Sequence, residues 1–245
     1  QNGLLKIYEA LNINLKDKVA VKISTGEPGG HNFLNPKMIQ PLVNKLNGTI
    51  VECNTAYPGK RYETKDHIQT IKDHGFFDIA PCEIMDADGE IPLKVTNGFH
   101  LSENYVGKGI QNYSSMLMLS HFKGHLMGGF GGALKNMSIG VASKRGKLII
   151  HTANKGKTFD DAFKTKQDDF LESMADADKS VVDYFGKENM AYINVLNRLS
   201  IDCDCDSNPK EPEMADIGIF ASLDPVAIDK ASVDAIYNSN DEGKK

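Results

Sequence analysis

A chain of 245 residues, 40% hydrophobic and 25% charged, carries enough apolar material for a substantial buried core and reads as an ordinary globular protein. Its net charge of −5 argues against a nucleic-acid surface, which needs a basic stripe, and no window approaches about 18 consecutive apolar residues, so no membrane-spanning helix is expected. Four cysteines are too few for a disulfide scaffold of this size, and the first residues do not read as a signal peptide, so a cytoplasmic location is the expectation.

Taken in order, Leu4, Leu5, Tyr8 and Leu11 form an apolar face that predicts a helix over 3–13. Val19, Val21 and Ile23 alternate as in a strand, which ends in the loop-forming stretch 24–31. Asn35-Pro36 suits a helix start, Ile39, Leu42, Val43 and Leu46 share one helical face, and Asn47-Gly48 ends it. A strand over 49–53, the loop 54–61 and a helix over 64–74 stopped by Gly75 follow. Short strands at Ile84-Met85 and 93–95 suggest a hairpin around Asp88-Gly89.

Met116 to Leu119 reads as a buried strand running into SHFKGHLMGGFGGALKN, residues 120–136, whose end opens a helix. From Thr158 to Phe185 the pattern is helical, as one long helix or two with a bend. Strands at 190–196 and 217–221 flank Asp202-Cys-Asp-Cys-Asp206, and Asp224-Pro225 caps a last helix.

Strands alternating with helices imply an α/β fold: a mainly parallel or mixed sheet with helices on both faces, here one domain over 1–245. In such folds ligands collect beyond the carboxyl ends of the strands. Segments 24–31, 54–61, 120–136, 197–206 and 222–225 all follow predicted strands, so a parallel sheet would bring them to one rim.

Several residues on these segments carry chemistry. Gly128, Gly129, Gly131 and Gly132, with Lys135, follow the logic of an anion-cradling loop but match neither G-x-G-x-x-G nor the G-K-[ST] ending of a P-loop; the alternative is a tight turn that packs a helix on the sheet. His121, His125, Cys203 and Cys205 can hold a transition metal, Zn or Fe, or can be structural histidines and an acidic turn with incidental cysteines. The flanking aspartates are expected to raise the thiol pKa values. Lys123 offers a point charge for an anion or is simply solvated, and Arg61 offers a planar fork or is simply exposed. Glu27, His31 and His151 are further acid–base candidates. The sequence has no G-x-S-x-G and no H-E-x-x-H.

The motifs VKISTGEPGG, NTAYPGKR, SHFKGHLMGGFGGALKN, IDCDC and DIGIFASLDPVAIDKASVD, in that order over about residues 19–235, resemble the bacterial and archaeal family called domain of unknown function 362. Its members are often labelled uncharacterised iron–sulfur centre proteins. The resemblance places Glu27, Asn54, Arg61, His121, Lys123, His125, Lys135, Asn136, Cys203, Cys205 and Asp224 in the family pattern without assigning their roles. It also implies a strand before residue 1 and further helix after residue 245. Many members carry a cysteine-rich, ferredoxin-type insert just after the position of His151. Residues 152–160 here contain no cysteine, and four cysteines cannot supply two four-iron clusters, so no iron–sulfur cluster is expected in this chain.

The reading that follows is a strand-end site for a small anionic molecule, bound by Gly128, Gly129, Gly131, Gly132, Lys135, Asn136, Glu27, Asn54 and Arg61. Lys123 and His125 would be its chemical groups, with a metal on some of His121, His125, Cys203 and Cys205. Whether it is an enzyme stays open. The alternative is a non-catalytic metal- or iron–sulfur-binding module that partners a ferredoxin-type protein. Neither reading involves nucleic acid or membrane.

Overall fold

Six strands form the central sheet of the computed structural model, which describes residues 3–244. The strands are β1 (Val19–Lys22), β2 (Thr49–Glu52), β3 (Cys82–Ile84), β4 (Glu90–Lys94), β5 (Glu103–Gly107), β6 (Ser115–His121), β7 (Lys123–His125), β8 (Gly129–Gly131), β9 (Met190–Leu196) and β10 (Gly218–Ser222). The helices are α1 (Gly3–Ala10), α2 (Pro36–Leu46), α3 (Thr64–Asp73), α4 (Ala133–Val141), α5 (Lys144–His151), α6 (Gln167–Phe185) and α7 (Pro225–Asn238). The sheet order is β10-β9-β6-β1-β2-β3, parallel throughout except for β10. The pairs β4–β5 and β7–β8 are antiparallel and lie outside it.

The sheet is covered on both faces. β6 is buried along its whole length: Leu117 and Leu119 join the side chains of α1, α2 and α3, whereas Met116 and Met118 join those of α4, α6 and α7. Such two-sided burial is why the central strand reads as a continuous apolar run. Local signals set the ends of two helices as expected. The Asn35 side chain accepts from the Lys37 N–H, Asn47 closes α2 in the left-handed region at φ 46°, and Asp224 accepts from Val226 and Ala227 at the start of α7. None of the described helices is long and apolar enough to cross a membrane.

Three expectations are corrected. Residues 79–100 form no hairpin: β3 pairs with β2 in the main sheet, while β4 pairs with β5, because Ile84 and Leu93 are buried in opposite layers. The helical pattern of 158–185 is a 3-10 turn, Phe159–Lys164, followed by α6; Phe163 faces solvent at 69% exposure and so lies outside the apolar stripe. β10 is antiparallel, since 197–217 returns from β9 without a crossover helix. Ser222 pairs with Tyr192 near the start of β9, which puts 222–225 at the opposite edge of the sheet from the other four segments.

Candidate functional site

A cavity of about 120 Å³ opens where β1, β2, β6 and β9 end, and residues from 24–31, 54–61, 120–136 and 197–206 line it. His121, Arg61 and Cys203, far apart in sequence, share this wall.

Its floor is a buried charge network. Lys22, the last residue of β1, donates to Glu52 at the end of β2 (2.8 Å), to the Ile23 carbonyl (2.6 Å) and to the Asn136 side chain (3.1 Å). Glu52 also accepts from the Thr25 N–H at 2.9 Å and faces the Arg61 guanidinium at 3.6 Å. Burial opposes ionisation of Glu52, but Lys22 and Arg61 outweigh it and hold the carboxyl down at about 2. At Lys22 burial wins and lowers the ammonium despite Glu52. Glu52 has more partners, so it governs how the pair responds to acid. Arg61 donates to Glu27 (2.8 Å), and Tyr57 donates to the same carboxylate oxygen (2.7 Å). The guanidinium fork is thus filled by protein and braces the wall.

The glycine segment does less than its sequence suggests. Gly131 and Gly132 reach the cavity, but Gly128 and Gly129 face other grooves. The first N–H groups of α4, from Ala133 and Leu134, donate to Asp229 at 2.8 and 2.9 Å, so the helix start already has its anion. A Cβ on Gly132 would lie 2.3 Å from that carboxylate, and one on Gly124 would lie 2.3 Å from the Ile201 carbonyl. These two glycines permit close packing. Asn54 is likewise structural in contact, donating to Asp86 and Thr64 and meeting His67.

Asp204, between the two cysteines, is the missed keystone of the other wall. It accepts from Lys123 (2.7 Å) and meets His121 Nδ1 (2.8 Å), while His121 Nε2 meets the Asn197 carbonyl (2.7 Å). Both His121 nitrogens are therefore engaged by partners within the protein. The set that does gather is His125, Cys203 and Cys205, with ligand atoms within 4.8 Å of one another. Because Asp204 turns away, it does not govern the thiols as expected. The Cys205 thiol hydrogen-bonds Cys203 and pulls it well below the ordinary thiol range, aided by Lys135 and Lys123 against burial and Asp204. Cys205, as the donor, is pushed up. Burial, with Lys135, His151 and Lys123, keeps His125 neutral down to about 2. The Gly128 N–H donates to His125 Nδ1 at 3.0 Å, which places the ring proton on Nε2, so a neutral ring would ligate through Nε2 only in the other tautomer, with the proton on Nδ1 and the Gly128 contact given up. Three protein ligands leave a tetrahedral metal one open position. Cys53 also lines the cavity, but Cys82 begins β3 at the far edge of the sheet, so the four thiols do not converge.

Two groups on α5, a helix the sequence did not announce, complete the cavity. His151 donates from Nδ1 to the Lys147 carbonyl (2.7 Å), which leaves Nε2 an acceptor; burial lowers its pKa to about 4. Lys147 is 7% exposed, and its ammonium meets one carbonyl, that of Ala142, at 2.5 Å. Five cations (Lys22, Arg61, Lys123, Lys135, Lys147) thus surround the site against three carboxylates (Glu27, Glu52, Asp204). Lys135 has the Cys203 sulfur at 3.9 Å, whereas Lys147 has no anion among the described residues.

Fold and site together define a three-layer α/β protein with a cation-rich cavity at the strand ends and a sulfur–nitrogen cluster in its wall. The chain belongs to the family described as domain of unknown function (DUF362), whose model matches residues 19–234. Among solved structures it is similar to the lactate racemase apoprotein from Thermoanaerobacterium thermosaccharolyticum, at 16% identity and a TM-score of 0.53, over 92% of this chain and 50% of that one. It is also similar to a structural-genomics protein from Thermotoga maritima, at 13% identity and a TM-score of 0.51, over 95% of this chain and 57% of that one. At these identities the likeness is one of fold, and this chain spans about half of either structure. No curated protein matches it.

Proposed function

We propose that the cavity binds a small carboxylate through Lys147 and Lys135, next to a transition metal held by His125, Cys203 and Cys205. The observation that carries this reading is Lys147: a buried ammonium with a single carbonyl partner is costly unless an anion meets it. A cavity of about 120 Å³ admits only a small molecule, and the name of the lactate racemase relative points to the same substrate class. A metal with one open position supplies Lewis acidity toward an oxygen of the ligand. His151 Nε2 is a neutral acceptor for a proton beside the carboxylate, and Lys123, fixed by Asp204, adds positive charge to that wall.

Elemental analysis of anaerobically purified protein tests the metal. Wild type is expected to carry close to one equivalent of Zn or Fe, and Cys203→Ser and His125→Ala each to lose most of it while keeping the native circular-dichroism spectrum. A folded wild type free of metal after reconstitution, or full occupancy in both variants, removes the metal from this site.

A further inference from the structure

A larger groove, of about 760 Å³, lies beside the cation-lined cavity, between α4, α6 and the start of α7, with Lys135 in both linings. Leu134, Met137, Met174 and Val182 form its walls, and Leu223 and Val226 stand at its mouth, 47% and 63% exposed. Its size is that of a small-molecule site, about 300–1,000 Å³.

Two buried polar groups, Asp178 and Tyr192, stand in this lining, and neither is properly satisfied. Asp178 is 5% exposed, and its Oδ1 has no hydrogen-bond partner among the described residues. The Tyr192 hydroxyl, on a side chain 2% exposed, has only the sulfurs of Met190 and Met137, at 3.6 and 4.0 Å, which are weak acceptors. An ionised carboxylate in these surroundings would be uncompensated. Burial pushes the Asp178 carboxyl well above the usual range, Asp229 adds to the effect, and the Ser138 backbone N–H opposes it. Asp178 is therefore a carboxylic acid that can donate. Lys179 pairs with Asp183 at 2.5 Å; Lys135 and Lys187 also line the groove, and the apolar stretch formed by Leu134, Met137, Met174 and Val182 suits an uncharged body.

We propose that this groove is a second binding site, for a neutral, largely apolar molecule whose carbonyl oxygen accepts from Asp178 and Tyr192. The proposal is independent of the metal and anion reading, because neither donor lines that cavity.

The test uses benzophenone and its carbonyl-free analogue diphenylmethane, titrated into protein labelled with ¹³C at the methionine methyls. Saturable shifts at Met137 and Met174 are expected for benzophenone, with affinity about tenfold or more above that of diphenylmethane, since a donor left unpaired by the analogue costs binding. In the double variant Asp178→Leu/Tyr192→Phe, which removes both donors, the two probes should bind equally, and Asp178→Leu alone should shrink the preference. Unmoved Met137 and Met174 methyls, equal affinity in wild type, or a preference that survives the double variant undiminished each overturn the proposal. So does sedimentation showing a concentration-dependent dimer whose dissociation shifts the Met174 methyl, which would make the groove a self-association face.

Discussion

Glu52→Gln is expected to destabilise the protein by about 3–5 kcal/mol, the usual cost of removing one member of a buried ion pair, and to lower the melting temperature by about 6–20 °C. The side chain keeps its shape, but Lys22 and Arg61 lose the charge that neutralises them in a site where all three are buried. The effect should depend on pH with a definite sign. A carboxyl held at about 2 against an ordinary 4.5 adds stability that is fully present above about pH 5 and is lost as the pH falls toward 2, about 3 kcal/mol in all. Thermal melts between pH 7 and pH 2.5 should show wild type losing its advantage over Glu52→Gln through that window. Parallel pH profiles for the two proteins would show that the Lys22–Glu52–Arg61 network contributes little.

Lys147→Met should change the protein in the opposite sense. An ammonium that is buried beside one carbonyl and no carboxylate weakens the ligand-free fold, so the apolar replacement is expected to raise stability by about 1 kcal/mol. The same change should weaken lactate, the small carboxylate used as probe, by about 3 kcal/mol, roughly a hundredfold, because it removes the cavity-lining cation that has no anionic partner among the described residues. Calorimetric titration and thermal melts on the same preparations separate the two effects. A variant that is less stable and binds lactate as wild type does would make Lys147 a structural residue.

The sequence exposed the scaffold where the physics is local. Asn35-Pro36 and Asp224-Pro225 announce helix starts, and the apolar run of β6 announces a strand buried on both faces. It was silent where a residue's meaning depends on distant partners. Lys22 and Glu52 end ordinary-looking strands, and only the parallel pairing of β1 with β2 turns them into an ion pair. Asp204 suggested negative charge on its neighbouring thiols, yet its carboxylate points to His121 and Lys123, which leaves Cys203 beside lysines. The charged sequence of α5 hid an amphipathic helix that turns Lys147 and His151 inward. The clearest motif, the glycine run, misled in part: Gly132 is small because Asp229 caps α4 there.

Cobalt(II) substitution tests the composite site in one titration. Ultraviolet sulfur-to-cobalt charge-transfer bands at one equivalent, with tetrahedral visible bands that shift when lactate is added, are the predicted result; they would place thiolate ligands and an open coordination position beside the unpaired cation. Cobalt that binds without sulfur bands, or a thiolate-ligated centre whose visible spectrum is unmoved by saturating lactate, would contradict the joint metal and anion site.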